Sequence, residues 1–188
     1  MSTRDTLTRS MHDLGAAAWF GGSLMGAVAL NGASRDVTDP ADRARVASRG
    51  WARWAPVAAT AIGTHLVGGA GLLVSNRRRA AHQSGTRANT IAKTALTAAA
   101  LGATAYSGAL GASVLEAGRV GAEGGTMPNE TTPDDVAAKQ QQLRVLQWAT
   151  PVLVGALIVL GAQQGEQQKA SQIVRGLAKR ASQKVARD

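Results

Sequence analysis

The chain contains no cysteine, one phenylalanine and one tyrosine among its 188 residues. Without cysteine it has no disulfides, thiolate metal sites or sulfur nucleophiles. Aromatics amount to 3% of the residues, so a core built on Phe and Tyr is excluded, and no basic stripe with interleaved aromatics is available for nucleic acid. The most informative absence is one of charge. Residues 14–34, 54–76, 94–115 and 145–165 contain no Asp, Glu, Lys or Arg, although 18% of the chain is charged. All 21 basic and 12 acidic residues therefore fall between or beyond these four windows.

A bilayer core about 30 Å thick needs roughly 20 helical residues, which is the length of each window. An Ala-rich soluble bundle would still carry a polar face every few residues, and the stretch from Leu14 to Ser34 has no charged position on any side. The expectation is an all-α membrane protein of four transmembrane helices. Residues 1–165 form the transmembrane domain with spans at 14–34, 54–76, 94–115 and 145–165, and residues 166–188 form a basic amphipathic cytoplasmic tail. In that tail Ala170, Ile173, Val174, Leu177, Ala181 and Val185 recur at helical spacing, with Lys169, Arg175, Lys179 and Arg180 largely elsewhere on the wheel.

The charges also orient the spans. Thirteen basic and four acidic residues share the side of the N-terminus, the 77–93 connection and the tail; eight of each lie opposite. The formal net charge of +9 thus sits on one face, which predicts cytoplasmic N- and C-termini in an inner (plasma) membrane. Arg77, Arg78, Arg79, Lys179 and Arg180 are expected to face anionic lipid headgroups, so the basic balance implies lipid rather than nucleic acid as partner. The dominance of Arg over Lys, with abundant Ala and Gly, fits a GC-rich bacterial genome.

Asp39-Pro40 with Gly50 downstream predicts a short interfacial helix, capped at its start and stopped by glycine. Trp51, Trp54 and Trp148 are expected at the headgroup level of that outer interface. Gly118 to Thr132 reads as irregular loop, and Thr132-Pro133-Asp134-Asp135 as the start of the last helix. Its Gln140-Gln141-Gln142 run is expected to project beyond the bilayer. Pro56 and Pro151 are placed in the first turns of their helices, where they are tolerated.

Small residues at four-residue spacing predict close helix contacts: Gly22 with Gly26, Ala59 with Gly63, and Ala103, Ser107 and Gly111 in a row. His65 and Tyr106 fall near the centres of their windows, with Thr104 within a turn of Tyr106, so a midplane histidine held by a Tyr or Thr hydroxyl is expected. His12 lies at the inner edge, about 16 Å along the axis from His65 on this window-centred register, which argues against a haem held by both.

The run Met11-His12-Asp13-Leu14-Gly15-Ala16-Ala17-Ala18-Trp19-Phe20-Gly21-Gly22 resembles the first helix of the four-helix membrane domains related to copper-resistance protein D, where a His precedes a Trp and a Gly pair. The likeness covers about a dozen residues and carries over His12, Trp19, Gly21 and Gly22. It implies a four-helix module. Apart from the resemblance, Met11-His12 near Met25, with His65, invites a Cu(I) reading, for which imidazole and thioether are suitable donors, with His12 and His65 as candidate metal ligands.

No HExxH, nucleophile elbow, phosphate loop, dinucleotide fingerprint or intramembrane carboxylate pair is present, so no enzymatic activity is called for. The expected role is that of a non-enzymatic accessory or scaffold subunit acting by helix packing, with no cofactor and with other membrane proteins or a second copy as partners. The alternative is a small metal-, haem- or quinone-handling module that uses His12 and His65.

Overall fold

In the computed structural model, backbone is described for residues 3–82 and 84–185, and side chains for 6–75 and 87–163. The described residues are helical except for the connections and one loop. Helix α1 (Thr3–Met25) continues through a π turn (Gly26–Leu30), a single α turn (Asn31–Ala33) and a 3-10 turn (Ser34–Asp36). Three long helices follow: α2 (Pro40–His82), α3 (Ser84–Glu116) and α4 (Asp134–Val185). Each of α2 and α3 packs on both α1-side and α4-side neighbours in a ring, α1 against α2 and α4, α3 against α2 and α4.

Four segments are long and apolar enough to cross a membrane: Thr6–Asp36, Pro40–Ser75, Arg87–Glu116 and Asp134–Gln163. Their surface has the polarity that lipid requires. Only 17–33% of each apolar window is buried, while Leu14, Val67, Val145 and Val152 are all more than 60% exposed. In water a contiguous apolar exterior of that kind drives aggregation; in hydrocarbon it is the solvated face.

Two sequence expectations are corrected here. The segment after Asp39-Pro40 is not a separate interfacial helix, because α2 runs unbroken from Pro40 to His82 through Gly50. Its start is as read: Asp39 Oδ1 accepts the Ala41 N–H at 2.9 Å, and Pro40 spends no donor at the first helical position. Because α2 and α4 begin many residues before their charge-free windows, Pro56 and Pro151 stand well inside them and not in first turns. Trp51 and Trp54 lie over Gly26 of the π turn and Gly22 of α1, and Trp148 is about half exposed.

The 117–133 loop is folded onto the end of the bundle. Gly118 closes α3 with φ +78, the left-handed conformation that glycine adopts without a Cβ penalty, and its N–H reaches Leu115 O at 3.1 Å. The loop then returns across the helix ends: Ala122 N–H donates to Pro40 O (3.1 Å), and Gly125 N–H to Ser34 Oγ (2.8 Å). Gln140, expected to project into solvent, is fully buried and donates to Gly124 O at 3.0 Å. Arg119 pairs with Asp39 and Asp42 at the rim. Under this plug lies an apolar cluster of Ala44, Val114, Ala122 and Val136. A second cluster, Ala16, Trp19, Ala100 and Val154 with Phe20, Ile62, Leu101 and Leu153 around it, closes the middle of the bundle.

Candidate functional site: a histidine pair beside a cavity

The site is created by the register of α1 against α2. Gly15 and Gly68 bring the two backbones together: a Cβ at Gly15 would stand 2.5 Å from both Ala61 O and His65 N, and one at Gly68 would stand 2.6 Å from Thr8 O. Only glycine permits this approach from either side, because the obstacles are backbone atoms that cannot rotate away. Further along the same seam Gly22 lies under the Trp54 indole and Gly26 under that of Trp51. Residue 15 thus faces residues 61–65, whereas window centring aligned residue 24 with 65.

That shift overturns the expected separation of the histidines. The His12 and His65 rings stack with centroids 4.2 Å apart and planes 39° apart. His65 is 2% exposed, and its Nδ1 donates to the backbone carbonyl of His12 at 2.9 Å. His12 Nδ1 donates to Asp13 Oδ1 at 3.0 Å. A carbonyl and a carboxylate only accept, so both Nδ1 atoms carry the proton, which leaves each neutral ring a lone pair on Nε2. Trp19 packs edge-on to His65 with centroids 6.2 Å apart, and its Nε1–H donates to Thr104 Oγ1 at 3.1 Å.

Thr104 therefore serves Trp19, not His65. Tyr106, expected beside His65, is half exposed and donates its hydroxyl to Gln142 on α4. His65 is held by a main-chain carbonyl, which sequence reasoning missed because it had placed His12 elsewhere in depth. The other small-residue rows separate in the same way. Ala59 and Gly63 are exposed, Ala59 on the wall of a cavity and Gly63 with nothing within 4 Å of a Cβ. Ala103 is half-buried; Ser107 and Gly111 line a cavity, Gly111 with open space where a Cβ would be and Ser107 with a buried hydroxyl lacking any hydrogen-bond partner. The side chains of Arg77, Arg78, Arg79, Lys179 and Arg180 lie outside the described residues, as does the amphipathic pattern of 166–188.

Two cavities flank the waist formed around Trp19. The one toward the loop end encloses about 480 Å³, is mainly apolar, and includes Trp19, Trp54, Ser107 and Gly111 in its walls. The one toward the chain termini has a volume of about 350 Å³ and joins His12, Asp13 and His65 to Arg9 and Lys93, with Leu66, Leu73 and Leu101 also in its walls. This mixture of an apolar wall with a few convergent polar groups is the composition of a small-ligand site.

The paired rings do not form a metal centre as they stand. Two imidazoles bound to one ion through bonds of about 2.0–2.1 Å hold their centroids roughly 5–6 Å apart, wider than the stacked separation here. Among the described residues no group of three His, Cys, Asp or Glu side chains gathers to complete such a site. Comparison of the chain with protein-family models, with curated proteins and with solved structures returns no match.

Proposed function

We propose that this chain is a multi-pass plasma-membrane binding module for a small amphiphilic ligand, seated in the cavity beside His12 and His65, and that its role is binding rather than catalysis. One observation carries the reading: two buried imidazoles, each with Nδ1 engaged and, in the neutral ring, an Nε2 lone pair left over, line a cavity together with Leu66, Leu73 and Leu101. An ionisable pair within a membrane span is costly to keep and is best explained by a task. Both termini are assigned to the cytoplasm, supported by the +9 net charge on their side of the spans.

The reading is tested by organic extraction and mass spectrometry of protein purified from native membranes, beside a Thr97→Phe variant. Thr97 lines the cavity, and a ring there fills it. A stoichiometric small molecule present in the parent and lost from an equally heat-stable variant is the expected result. No bound molecule, or equal occupancy in both, rejects the reading.

A second reading, an accessory subunit docked by helix packing on another membrane protein or on a second copy, draws on different residues. Gly63 on α2 and Gly102 on α3 are exposed, with nothing within 4 Å of a Cβ. Such positions permit close approach by a partner helix. Cross-linking in intact membranes that is lost on Gly63→Leu supports it.

A further inference from the structure

We infer that the ligand of this cavity is a single-chain amphiphile with an oxyanion head, a carboxylate or a phosphate monoester, whose head sits between Lys93 and the histidine pair. The inference rests on the binding-module reading and narrows it to a chemical class.

The charges decide the head. Lys93 and Arg9 line the cavity and neither makes an ion pair among the described residues, although Lys93 lies within the Arg87–Glu116 span. Among the described residues the wall carries two cations, Arg9 and Lys93, against one carboxylate, Asp13, whose charge is not cancelled by the bond from His12 Nδ1. One positive charge is thus left over beside an apolar wall, and an incoming anion balances it. Lys93 has room for it: the ammonium reaches over the bare backbone of Gly161, where a Cβ would come to 3.9 Å of Nζ.

The histidines select a head that shares a proton. His12 turns its Cδ2–Nε2 edge toward Gly69, another cavity residue, at 3.3 and 3.9 Å from where a Cβ would stand. An Nε2 lone pair repels a fully ionised oxyanion but accepts from an acid O–H. A monoester phosphate as its monoanion satisfies both demands, with one oxygen on Lys93 and its remaining O–H donating to an imidazole, whereas a carboxylate supplies the charge for Lys93 and bonds to an Nε2 only where that ring itself carries the proton.

The route in decides the tail. Leu66 and Leu73 wall the cavity and are themselves 41% and 52% exposed on the apolar exterior, so the cavity opens sideways toward lipid. A ligand entering there comes from the bilayer, with its chain lying along Leu66, Leu73 and Leu101. The cavity volume of about 350 Å³ lies at the lower end of the range for small-ligand sites and is too small for a two-chain phospholipid.

The test is equilibrium binding to purified, delipidated full-length protein of four probes: dodecanoate, dodecyl phosphate, dodecanol and inorganic phosphate. At least one of the two anionic amphiphiles is expected to bind about tenfold or more tightly than dodecanol, and whichever does so identifies the head. Inorganic phosphate is expected to bind far more weakly than either. Lys93→Gln is expected to bring the anions down to the dodecanol level, and Lys93→Arg to preserve the preference; if Lys93→Gln does not fold, the comparison of probes on the parent protein and on Lys93→Arg decides.

Dodecanol binding as tightly as both anions, or an anion preference unchanged by Lys93→Gln, overturns the inference. If Thr97→Phe nevertheless abolishes dodecanol binding, the cavity reading survives and only the head is wrong. Inorganic phosphate matching dodecyl phosphate overturns the amphiphile. No binding of any probe overturns the class, and the extraction experiment then decides separately whether the cavity holds a ligand at all.

Discussion

Replacing Gly15 by alanine adds one methyl group where α1 meets α2. It would stand 2.5 Å from Ala61 O and His65 N and 2.9 Å from His65 Cα, all main-chain atoms with no rotamer to escape into. Ordinary contact is restored only if the helices part by roughly 1 Å, because packed interiors have no slack to absorb it. That movement stretches the His65 Nδ1 to His12 O bond from 2.9 Å to beyond hydrogen-bonding range. Overpacking costs about 1–3 kcal/mol and the lost bond about 0.5–1.5 kcal/mol. Removing a helical glycine returns about 0.5–1 kcal/mol. The net expectation is a loss of roughly 1–3 kcal/mol. Gly63→Ala, with open space around it, is expected to be neutral or stabilising by up to about 1 kcal/mol. Reversible unfolding of both variants in mixed micelles measures the difference, and Gly15→Ala as stable as Gly63→Ala refutes the α1–α2 register.

The other expectations concern the waist, the plug and the orientation. Thr104→Ala leaves the Trp19 indole N–H without its acceptor and should cost about 1–3 kcal/mol, whereas Thr104→Ser keeps the hydroxyl and should cost less; unfolding curves that rank them the other way contradict the assigned bond. Asn31 accepts from Trp51 Nε1 at 2.9 Å and donates to Gln147 Oε1 at 2.8 Å, so Asn31→Leu strands two partners and should lower stability by about 2 kcal/mol or more, read by the same unfolding assay. Arg119→Ala removes an exposed rim pair and should change stability by under about 1 kcal/mol. Because the chain has no cysteine, Glu130→Cys gives a single exposed thiol that an impermeant maleimide should label in intact cells; protection there reverses the orientation.

The number of spans and the long irregular connection were legible because both are local: an absence of charge over twenty residues, and a cluster of Gly, Pro and Asn. The register was not. Centring each charge-free window assumes that a span begins where charge ends, whereas the apolar segment of α1 runs from Thr6 through Arg9 and Asp13. Those two charges lie beside the cavity, so the residues that hid the true span are part of the site.

The small-residue rows show a different limit. In an Ala- and Gly-rich chain four-residue spacing is common, and only the neighbour tells a contact from an exposed face; Gly22 and Ala59 are indistinguishable by spacing. Gly15 and Gly68 make the closest approach to main-chain atoms and carried no such signature, since each meets backbone of the other helix rather than a partner one turn away. The π turn at Gly26–Leu30, in which Asn31 N–H reaches back to Gly26 O, adds a residue to one turn before Asn31, which reaches both Trp51 and Gln147. Nothing in the local sequence marks it. Gln140 looked like solvent-facing polarity because its partner, the Gly124 carbonyl, lies in a loop whose fold is set by distant contacts.

The most direct measurement is nitrogen NMR of histidine-labelled protein in nanodiscs, before and after delipidation. The account expects His12 and His65 both protonated at Nδ1 with Nε2 free, and expects the Nε2 resonances of the pair to move when the bound amphiphile is removed. A proton found on Nε2 of His65 in the neutral state, or Nε2 resonances of both rings that do not respond to removal of ligand, contradicts it.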